Sequence, residues 1–164
     1  VLAAAVRLLA VRGIRVLPLT AVFARHLAGA RLYSRAKPDA AVRADIAAGW
    51  KAAKAVARLG IGQAVAVNRG MTVAVEAVEG TDAMIERAGA CAKGFTVVKV
   101  MRRGQSVLYD LPTAGPETIR KIAAAGGRAL AVEAGRTVVV EIERTVGEAD
   151  RQGIVFLGTR GRIA

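Results

Sequence analysis

Two short segments of the chain contain residue types that can do chemistry. The first is Glu79-Gly80-Thr81-Asp82, and the second runs from Lys99 to Thr118 with Gln105 and Asp110 inside it. Each segment follows an apolar, strand-like run and leads toward a predicted helix. In α/β proteins this is where catalytic carboxylates stand and where helix N-termini hold phosphate groups. The two segments together are therefore the predicted active site.

Asp82 and Asp110 are the predicted carboxylates of this site. Mg²⁺ is usually held by one or two carboxylates together with phosphate oxygens, so the pair could serve a metal-assisted phosphoryl reaction. A structural role is the alternative for each residue. Thr81 is predicted to cap the helix that follows it, with Asp82 in the first turn, and Asp110 can initiate the turn before Leu111-Pro112. Both interpretations stay open at this point.

Lys99 ends a strand-like run, and Arg102 and Arg103 follow just beyond it. Cations in this position can neutralise charge that develops on a diphosphate, although simple solvent exposure is the alternative for the two arginines. The sequence has no glycine-rich dinucleotide motif and no P-loop, and one His and one Cys are too few for a zinc site. His26 and Cys91 are predicted to be structural, Cys91 as a small packed residue among alanines.

The positive charge of the chain is concentrated at one end. The net charge is +12, and residues 1–38 contain seven Lys or Arg and no acid. Such a segment could contact anionic lipid, nucleic acid or a phosphorylated ligand, although an arginine-rich composition alone would also produce it. Aromatic residues make up only 4% and no nucleic-acid-binding module is recognisable, so a nucleic-acid partner is not predicted. No apolar run approaches the roughly 20 residues of a membrane span, and a single cysteine makes a reducing cytoplasm the simplest location.

The first 38 residues are predicted to be the tail of a larger, truncated unit. A helix over 2–11 leads through Gly13 into a strand over 14–17, and a short helix follows over 21–28. Pro38 closes a polar connection and is the predicted boundary between domains 1–38 and 39–164.

Helices and strands alternate after Asp39, which is predicted to cap the next helix. The predicted helices cover 40–58, 82–89, 116–125 and 143–151, and the predicted strands cover 63–67, 71–78, 95–100, 129–132, 137–142 and 154–157. Turns at Asn68-Arg69-Gly70 and Ala134-Gly135 predict two hairpins, which place antiparallel pairs in the sheet. The predicted fold is therefore α/β, with a mixed β-sheet and helices on its faces.

Several separated motifs resemble one known family in order and spacing. They are Gly62-Gln63-Ala64-Val65-Ala66-Val67, the run from Ala74 to Ile85, the strand end at Lys99 with Gln105, Asp110-Leu111-Pro112-Thr113, Gly115-Pro116-Glu117-Thr118-Ile119 and Ala131-Val132-Glu133-Ala134-Gly135. On these residues the chain, from about residue 40 to its end, resembles the C-terminal domain of the LpxI-type UDP-2,3-diacylglucosamine pyrophosphatases. Residues 1–38 resemble the tail of that family's Rossmann-like N-terminal domain.

The resemblance implies a three-layer α/β/α domain of a dimeric, cytoplasmic enzyme that is peripheral to the inner membrane. The implied reaction hydrolyses the diphosphate of UDP-2,3-diacylglucosamine to UMP and 2,3-diacylglucosamine 1-phosphate, with Mg²⁺ or Mn²⁺ as cofactor and water attacking the α-phosphorus. The implied catalytic residues are Asp82, Asp110 and Lys99, and the two aspartates are also the implied metal ligands. The implied substrate-binding residues are Thr81, Gln105, Thr113 and Thr118.

The chain departs from the family pattern after the strand that ends at Lys99. Family members resemble Lys-x-x-Lys-Pro-x-Gln-Asp-x-Arg-x-Asp-x-Pro, whereas here Arg102 and Arg103 replace the second Lys and the Pro. Ser106 stands where the family has its first Asp, and Leu108 where it has its Arg. A hydroxyl is a much weaker metal ligand than a carboxylate and cannot act as a carboxylate base. The alternative prediction is therefore a catalytically impaired homologue that binds the ligand without turnover.

Overall fold

Seven strands and six α-helices form from residues 2–102, 105–108 and 110–161, which are the residues that the computed structural model describes. The strands are β1 (Ala64–Asn68), β2 (Met71–Val75), β3 (Thr96–Lys99), β4 (Thr113–Ala114), β5 (Ala129–Glu133), β6 (Val138–Val139) and β7 (Val155–Thr159). The helices are α1 (Leu2–Val11), α2 (Leu19–Val22), α3 (Ala40–Leu59), α4 (Gly80–Cys91), α5 (Pro116–Ala124) and α6 (Ile142–Gln152). Five strands form one sheet in the order β2, β1, β3, β5, β7, and β4 pairs separately with β6.

The central sheet is mixed, as the sequence predicts. β1 pairs antiparallel with both β2 and β3, whereas β3, β5 and β7 are parallel. The predicted hairpin between β1 and β2 is confirmed, and its turn places Arg69 and Gly70 at φ of 52° and 76°. Two successive residues with positive φ match the twist of the paired strands. The start of β1 and the ends of β2 and β3 therefore lie at one edge of the sheet.

The second predicted hairpin is wrong. β5 pairs in parallel with β3 and β7, and β6 leaves the main sheet to pair in parallel with β4. Residues 129–132 are all buried, which is typical of a central parallel strand covered on both faces. At Gly135 the φ is 75° and the amide donates to the Ala28 carbonyl, so the chain turns away from β5. The predicted strand over 137–142 is consequently reduced to β6, and α6 begins at Ile142.

Helices cover both faces of the sheet, which confirms the three-layer α/β/α prediction. On one face, Val42 and Ile46 of α3 pack with Val65 and Val98. A Cβ at Gly49 would lie 2.6 Å from Cγ2 of Val98, so a glycine is needed where α3 approaches β3. The helices α4, α5 and α6 lie on the other face, where the core contains Met84, Ile85, Ile119, Ile122, Ala149 and Phe156.

The predicted boundaries of α3 are confirmed. Asp39 Oδ1 accepts a hydrogen bond of 2.7 Å from the Val42 amide, which satisfies one free donor of the first turn. Gly60 ends the helix with a φ of 75°. Cys91, predicted to pack as a small residue, is instead exposed, because it lies beyond Gly89, the last buried residue of α4.

The N-terminal segment contains less regular structure than predicted. The helix over 2–11 is confirmed as α1, which has no buried residue, but residues 14–17 form no strand. The side chains of Ile14 and Leu17 are exposed there, and no described strand pairs with this run. Of the helices in the described part of the chain, none combines the length and apolar character that a bilayer-spanning segment requires.

Residues 27–34 pack against the central sheet. The helix predicted over 21–28 is divided into α2 and a 3₁₀ turn at Ala24–His26, because Leu27 leaves the helical path to form a bridge with Val138. Tyr33 stacks on Phe156 with ring centroids 5.0 Å apart. The division into domains at Pro38 stays a prediction.

Candidate active site

One pocket of about 450 Å³ opens at the sheet edge where β1 begins and β2 and β3 end. We call it the acidic pocket. Its lining combines this edge with the first turns of α4 and α5, and consists of Gln63, Glu76, Glu79, Gly80, Thr81, Asp82, Lys99, Thr113, Glu117 and Thr118. Five of the seven predicted site residues, Thr81, Asp82, Lys99, Thr113 and Thr118, therefore lie together.

Lys99 is the cation of the acidic pocket. It is the last residue of β3 and is only 6% exposed, with Nζ donating to the Thr113 carbonyl at 2.9 Å. Burial lowers the pKa of the Lys99 ammonium, while the carboxylates of Glu76 and Asp82 act in the opposite direction. The hydrogen bond to Thr113 uses one of three ammonium donors, so the others can face a ligand.

Glu76 is a buried acid in this pocket that the sequence analysis did not single out. It is 5% exposed, and its two carboxylate oxygens accept hydrogen bonds from the Thr81 hydroxyl at 3.0 Å and from the backbone amide of Gln63 at 3.3 Å. A signal for Glu76 was present in the sequence. Glu76 lies two residues after Ala74 in a strand-like run, so the two side chains lie on the same face of the strand. Ala74 predicts that this face is buried, and an acid on a buried face needs internal hydrogen-bond partners.

The prediction that Thr81 caps α4 is wrong. The helix begins at Gly80, Glu79 stands at the position before it, and Thr81 lies inside the first turn. Because Thr81 lies inside the helix and not at the cap position, its hydroxyl does not cap α4, and it donates to the Glu76 carboxylate at 3.0 Å. Thr81 therefore connects the end of β2 to the start of α4.

The other acids of the pocket each have a basic partner. Asp82 Oδ2 lies 2.9 Å from Lys121 Nζ, and this hydrogen bond raises the pKa of Lys121. The pKa of Glu79 is held below its ordinary value, chiefly by a hydrogen bond that involves its own backbone and secondly by the hydrogen bond from Arg87. Glu117 pairs with Arg120 on the same helix. Asp82, Glu79 and Glu117 are therefore each paired with a basic side chain near Lys99.

Gln105 and Asp110 lie at the border of the acidic pocket and do not line it. Gln105 Nε2 donates to Gln63 Oε1 at 3.0 Å and to Asp110 Oδ1 at 3.2 Å. Gln63 belongs to the pocket, so a chain of side-chain hydrogen bonds links Asp110 to it. Arg102 and Arg103, which follow Lys99 in the sequence, were the other candidates to neutralise charge on a diphosphate. Arg102 is exposed and lines another pocket, and Arg103 lies outside the described residues.

The donors around the acidic pocket fit a hard divalent cation only in part. They are oxygen atoms, which Mg²⁺ and Mn²⁺ prefer. Among the described residues, however, no group of three His, Cys, Asp or Glu side chains is arranged to hold a metal. Mg²⁺ commonly binds through one or two carboxylates plus substrate phosphates. A metal ion in this pocket would need ligand oxygens in addition to these carboxylates.

Comparison with known proteins gives two matches. The model of the LpxI C-terminal domain matches residues 29–157, which include the acidic pocket. A protein named UDP-2,3-diacylglucosamine pyrophosphatase LpxI, from Caulobacter vibrioides, is 35% identical over 124 residues. This match covers 70% of the chain and 44% of the relative, so the chain spans less than half the length of that protein. The chain belongs to the LpxI family, through that family's C-terminal domain.

Proposed function

We propose that the acidic pocket hydrolyses the diphosphate of UDP-2,3-diacylglucosamine, giving UMP and 2,3-diacylglucosamine 1-phosphate for lipid A synthesis. The observation that carries the proposal is the meeting of Lys99 with Thr81, Asp82, Thr113 and Thr118 in one pocket of an LpxI-family chain. The activity named for the Caulobacter vibrioides relative supplies the substrate and the reaction.

Lys99 would hold the diphosphate and neutralise charge that develops on its oxygens. A buried ammonium acts in a low-dielectric site, where a charge interaction is stronger than in water. The hydroxyl of Thr118 accepts a hydrogen bond from the Gly115 amide at 3.3 Å, so its proton is free to donate to a phosphate oxygen. The free amides at the start of α5 favour the same negative charge.

Mg²⁺ or Mn²⁺ would be the cofactor, with Asp82 and Asp110 as its protein ligands. When bound, the ion would supply positive charge that polarises the diphosphate. The charge balance of the pocket supports this need. Asp82, Glu79 and Glu117 are each paired with a basic residue and Glu76 offsets Lys99, so no surplus positive charge is left for a free diphosphate. Lys121 orients the Asp82 carboxylate, and Gln105 orients the Asp110 carboxylate.

A second candidate function is ligand binding without turnover. Ser106 stands where the family has an aspartate, and its hydroxyl accepts a hydrogen bond from the Leu108 amide at 3.2 Å. Its carbonyl accepts from the Asp110 amide at 2.8 Å. Ser106 thus supports the local turn and offers no carboxylate to the reaction, which favours impaired catalysis.

The proposed site of action is the cytoplasmic surface of the inner membrane, and the proposed assembly is a homodimer. The exposed apolar residues Leu8 and Val11 of α1 lie beside Arg7 and Arg12, a combination that suits an anionic lipid surface. The acyl chains of the substrate would be presented from that surface.

Release of UMP from UDP-2,3-diacylglucosamine tests the proposal and separates the two candidates. The assay uses the chain itself and a chimera that joins it to the N-terminal part of the Caulobacter vibrioides relative, with Mg²⁺ or Mn²⁺ and with a chelator. Metal-dependent release by the wild type supports hydrolysis. Substrate binding without release, followed by release from the double variant Ser106→Asp with Leu108→Arg, supports the impaired homologue. Neither binding nor release in any form would reject both.

A further inference from the structure

A second pocket, of about 300 Å³, lies at the same edge of the sheet on the face that α3 covers. We call it the basic pocket. Three separate parts of the chain form it: the end of α3, the residues after β3, and β5 with the turn that follows. Its charged residues are four cations and one acid, namely Lys54, Arg58, Arg102, Arg136 and Glu133.

Glu133 is fully engaged inside the basic pocket. One carboxylate oxygen accepts from Lys54 Nζ at 2.5 Å and the other from the Met101 amide at 2.8 Å, and the side chain is only 15% exposed. Lys54 also lies 5.0 Å from the centre of the Trp50 ring. These contacts neutralise one lysine and fix the pocket wall, but they leave the three arginines unbalanced.

The three arginines have no acidic partner among the described residues. Arg58, Arg102 and Arg136 are exposed, and none forms an ion pair there. The negative end of the α3 dipole stabilises the charge of Arg58 in the last helical turn, but it does not stabilise the charges of Arg102 and Arg136. Arg136 Nη1 lies 3.9 Å from Met101 Sδ, which directs this guanidinium toward the pocket. Guanidinium groups that converge without a counter-ion repel one another, and a bound anion removes that repulsion.

We propose that the basic pocket is a binding site for a phosphate group, separate from the acidic pocket. Arginine binds phosphate oxygens through paired N–H donors, which makes phosphate the anion that fits several arginines best. The pocket lies where β3 and β5 end, the edge at which α/β proteins bind phosphorylated ligands. Met101 and Ala57 add a small apolar surface for the group that carries the phosphate.

The phosphate belongs either to a small soluble compound or to a phospholipid headgroup, and the site is independent of the proposed hydrolysis. Isothermal titration calorimetry of the full chain with inorganic diphosphate tests it, with a chelator present so that the acidic pocket stays unfavourable to anions. The double variant Arg58→Gln with Arg136→Gln is expected to lower the affinity by about tenfold or more. The matched control, Arg69→Gln with Lys93→Gln, removes two exposed charges at the opposite end of the sheet and is expected to bind like the wild type.

Vesicles of phosphatidylcholine with and without phosphatidic acid distinguish the two sources. If the pocket variant loses binding to phosphatidic acid vesicles while the control retains it, the phosphate is a lipid headgroup. If the variant loses diphosphate binding and vesicle binding does not change, the ligand is soluble. Both results uphold the site, provided that thermal denaturation shows the variants folded. Equal binding by the wild type and the folded pocket variant, or no binding of either probe, would overturn it.

Discussion

Lys99 and Glu76 place opposite charges inside the domain, at 6% and 5% exposure, on the floor of the acidic pocket. An isolated buried charge is costly, whereas a buried charge with hydrogen-bond partners and an opposite charge nearby is tolerated. Glu76 has both, through Thr81, Gln63 and the charge of Lys99. Stability and function are therefore coupled at these two residues.

Replacing Glu76 with Gln should destabilise the fold. The Gln side chain has one acceptor oxygen instead of two, so either the Thr81 hydroxyl or the Gln63 amide loses its partner, and Lys99 loses an attractive charge. We expect the free energy of unfolding to fall by about 1–3 kcal/mol in urea denaturation. Glu117→Gln is the control, because this acid is 64% exposed and pairs only with Arg120, and its effect should stay within about 0.5 kcal/mol. Equal effects of the two substitutions would show that Glu76 is not the internal acceptor described here.

The pH dependence of activity should reveal Lys99. Burial lowers its pKa, so the ammonium that we propose holds the diphosphate loses its proton as the pH rises, at a lower pH than an ordinary lysine would. We expect kcat/KM for UMP release to fall through that alkaline range. Lys99→Arg should move the fall to higher pH because a guanidinium stays charged. Lys121→Arg should not move it, since Asp82 raises the pKa of Lys121. If kcat/KM falls at the same alkaline pH in the wild type and in both variants, Lys99 is not the group whose deprotonation causes the fall.

Residue types and order were sufficient to predict Lys99, Thr81 and Asp82, because they end a strand or begin a helix. Thr113 and Thr118 were predicted as binding residues only through the family resemblance. The position of Asp110 was not predictable in the same way. It follows a long connection, and its link to the pocket passes through two glutamine side chains, Gln105 and Gln63. Such a link depends on tertiary packing and has no local sequence signal.

α3 is the element on which the packing of one face of the sheet depends. It lies directly on β3 at Gly49, where an added methyl would meet Val98 at 2.6 Å. The strand-end residue Lys99 follows Val98 immediately, so the position of α3 helps to set the position of the pocket floor.

Gly49→Ala should therefore destabilise the domain, although alanine is the better helix former. Overpacking is expected to lower the free energy of unfolding by about 1–3 kcal/mol. Gly147→Ala in α6 is the matched control, because no atom lies within 4 Å of the added methyl, and there we expect a gain of up to about 1 kcal/mol. Urea denaturation of both variants measures the difference. A neutral or stabilising Gly49→Ala would contradict the close packing of α3 on β3.

Long helices and the first hairpin were predictable from periodicity and capping, as Asp39 and the Asn68-Arg69-Gly70 turn illustrate. The second hairpin was not, because Ala134-Gly135 is a turn signal that says nothing about which strands pair. β5 pairs along its two edges with β3 and β7, and the residues on both of its faces are buried in the two cores of the domain. Residues 14–17 have a strand-like sequence but no neighbouring strand among the described residues, so local propensity did not produce one.

At the scale of the whole molecule, charge is distributed unevenly around a +12 chain. The acidic pocket collects carboxylates, while the basic pocket and the N-terminal segment collect arginines. A molecule with this pattern can meet an anionic surface through its basic side and keep the acidic pocket separate from it.

Binding to anionic vesicles should depend on α1. Arg7→Gln with Arg12→Gln is expected to reduce binding to phosphatidylglycerol vesicles by about tenfold or more in a sedimentation assay, because each basic residue near the surface contributes about 1 kcal/mol. Lys51→Gln with Arg160→Gln removes two exposed charges elsewhere and should have a smaller effect. An equal loss of vesicle binding in both double variants would show that net charge, rather than α1, determines the binding.

The most direct test of the central claim is UMP release from UDP-2,3-diacylglucosamine by pocket variants of the chimera. We expect Asp82→Asn and Lys99→Met to lower kcat/KM by about tenfold or more relative to the unmodified chimera. Glu143→Gln, an exposed change on α6 outside the acidic pocket, should leave the rate unchanged. Pocket variants that are folded and release UMP as fast as the unmodified protein would contradict the assignment of this pocket as the active site.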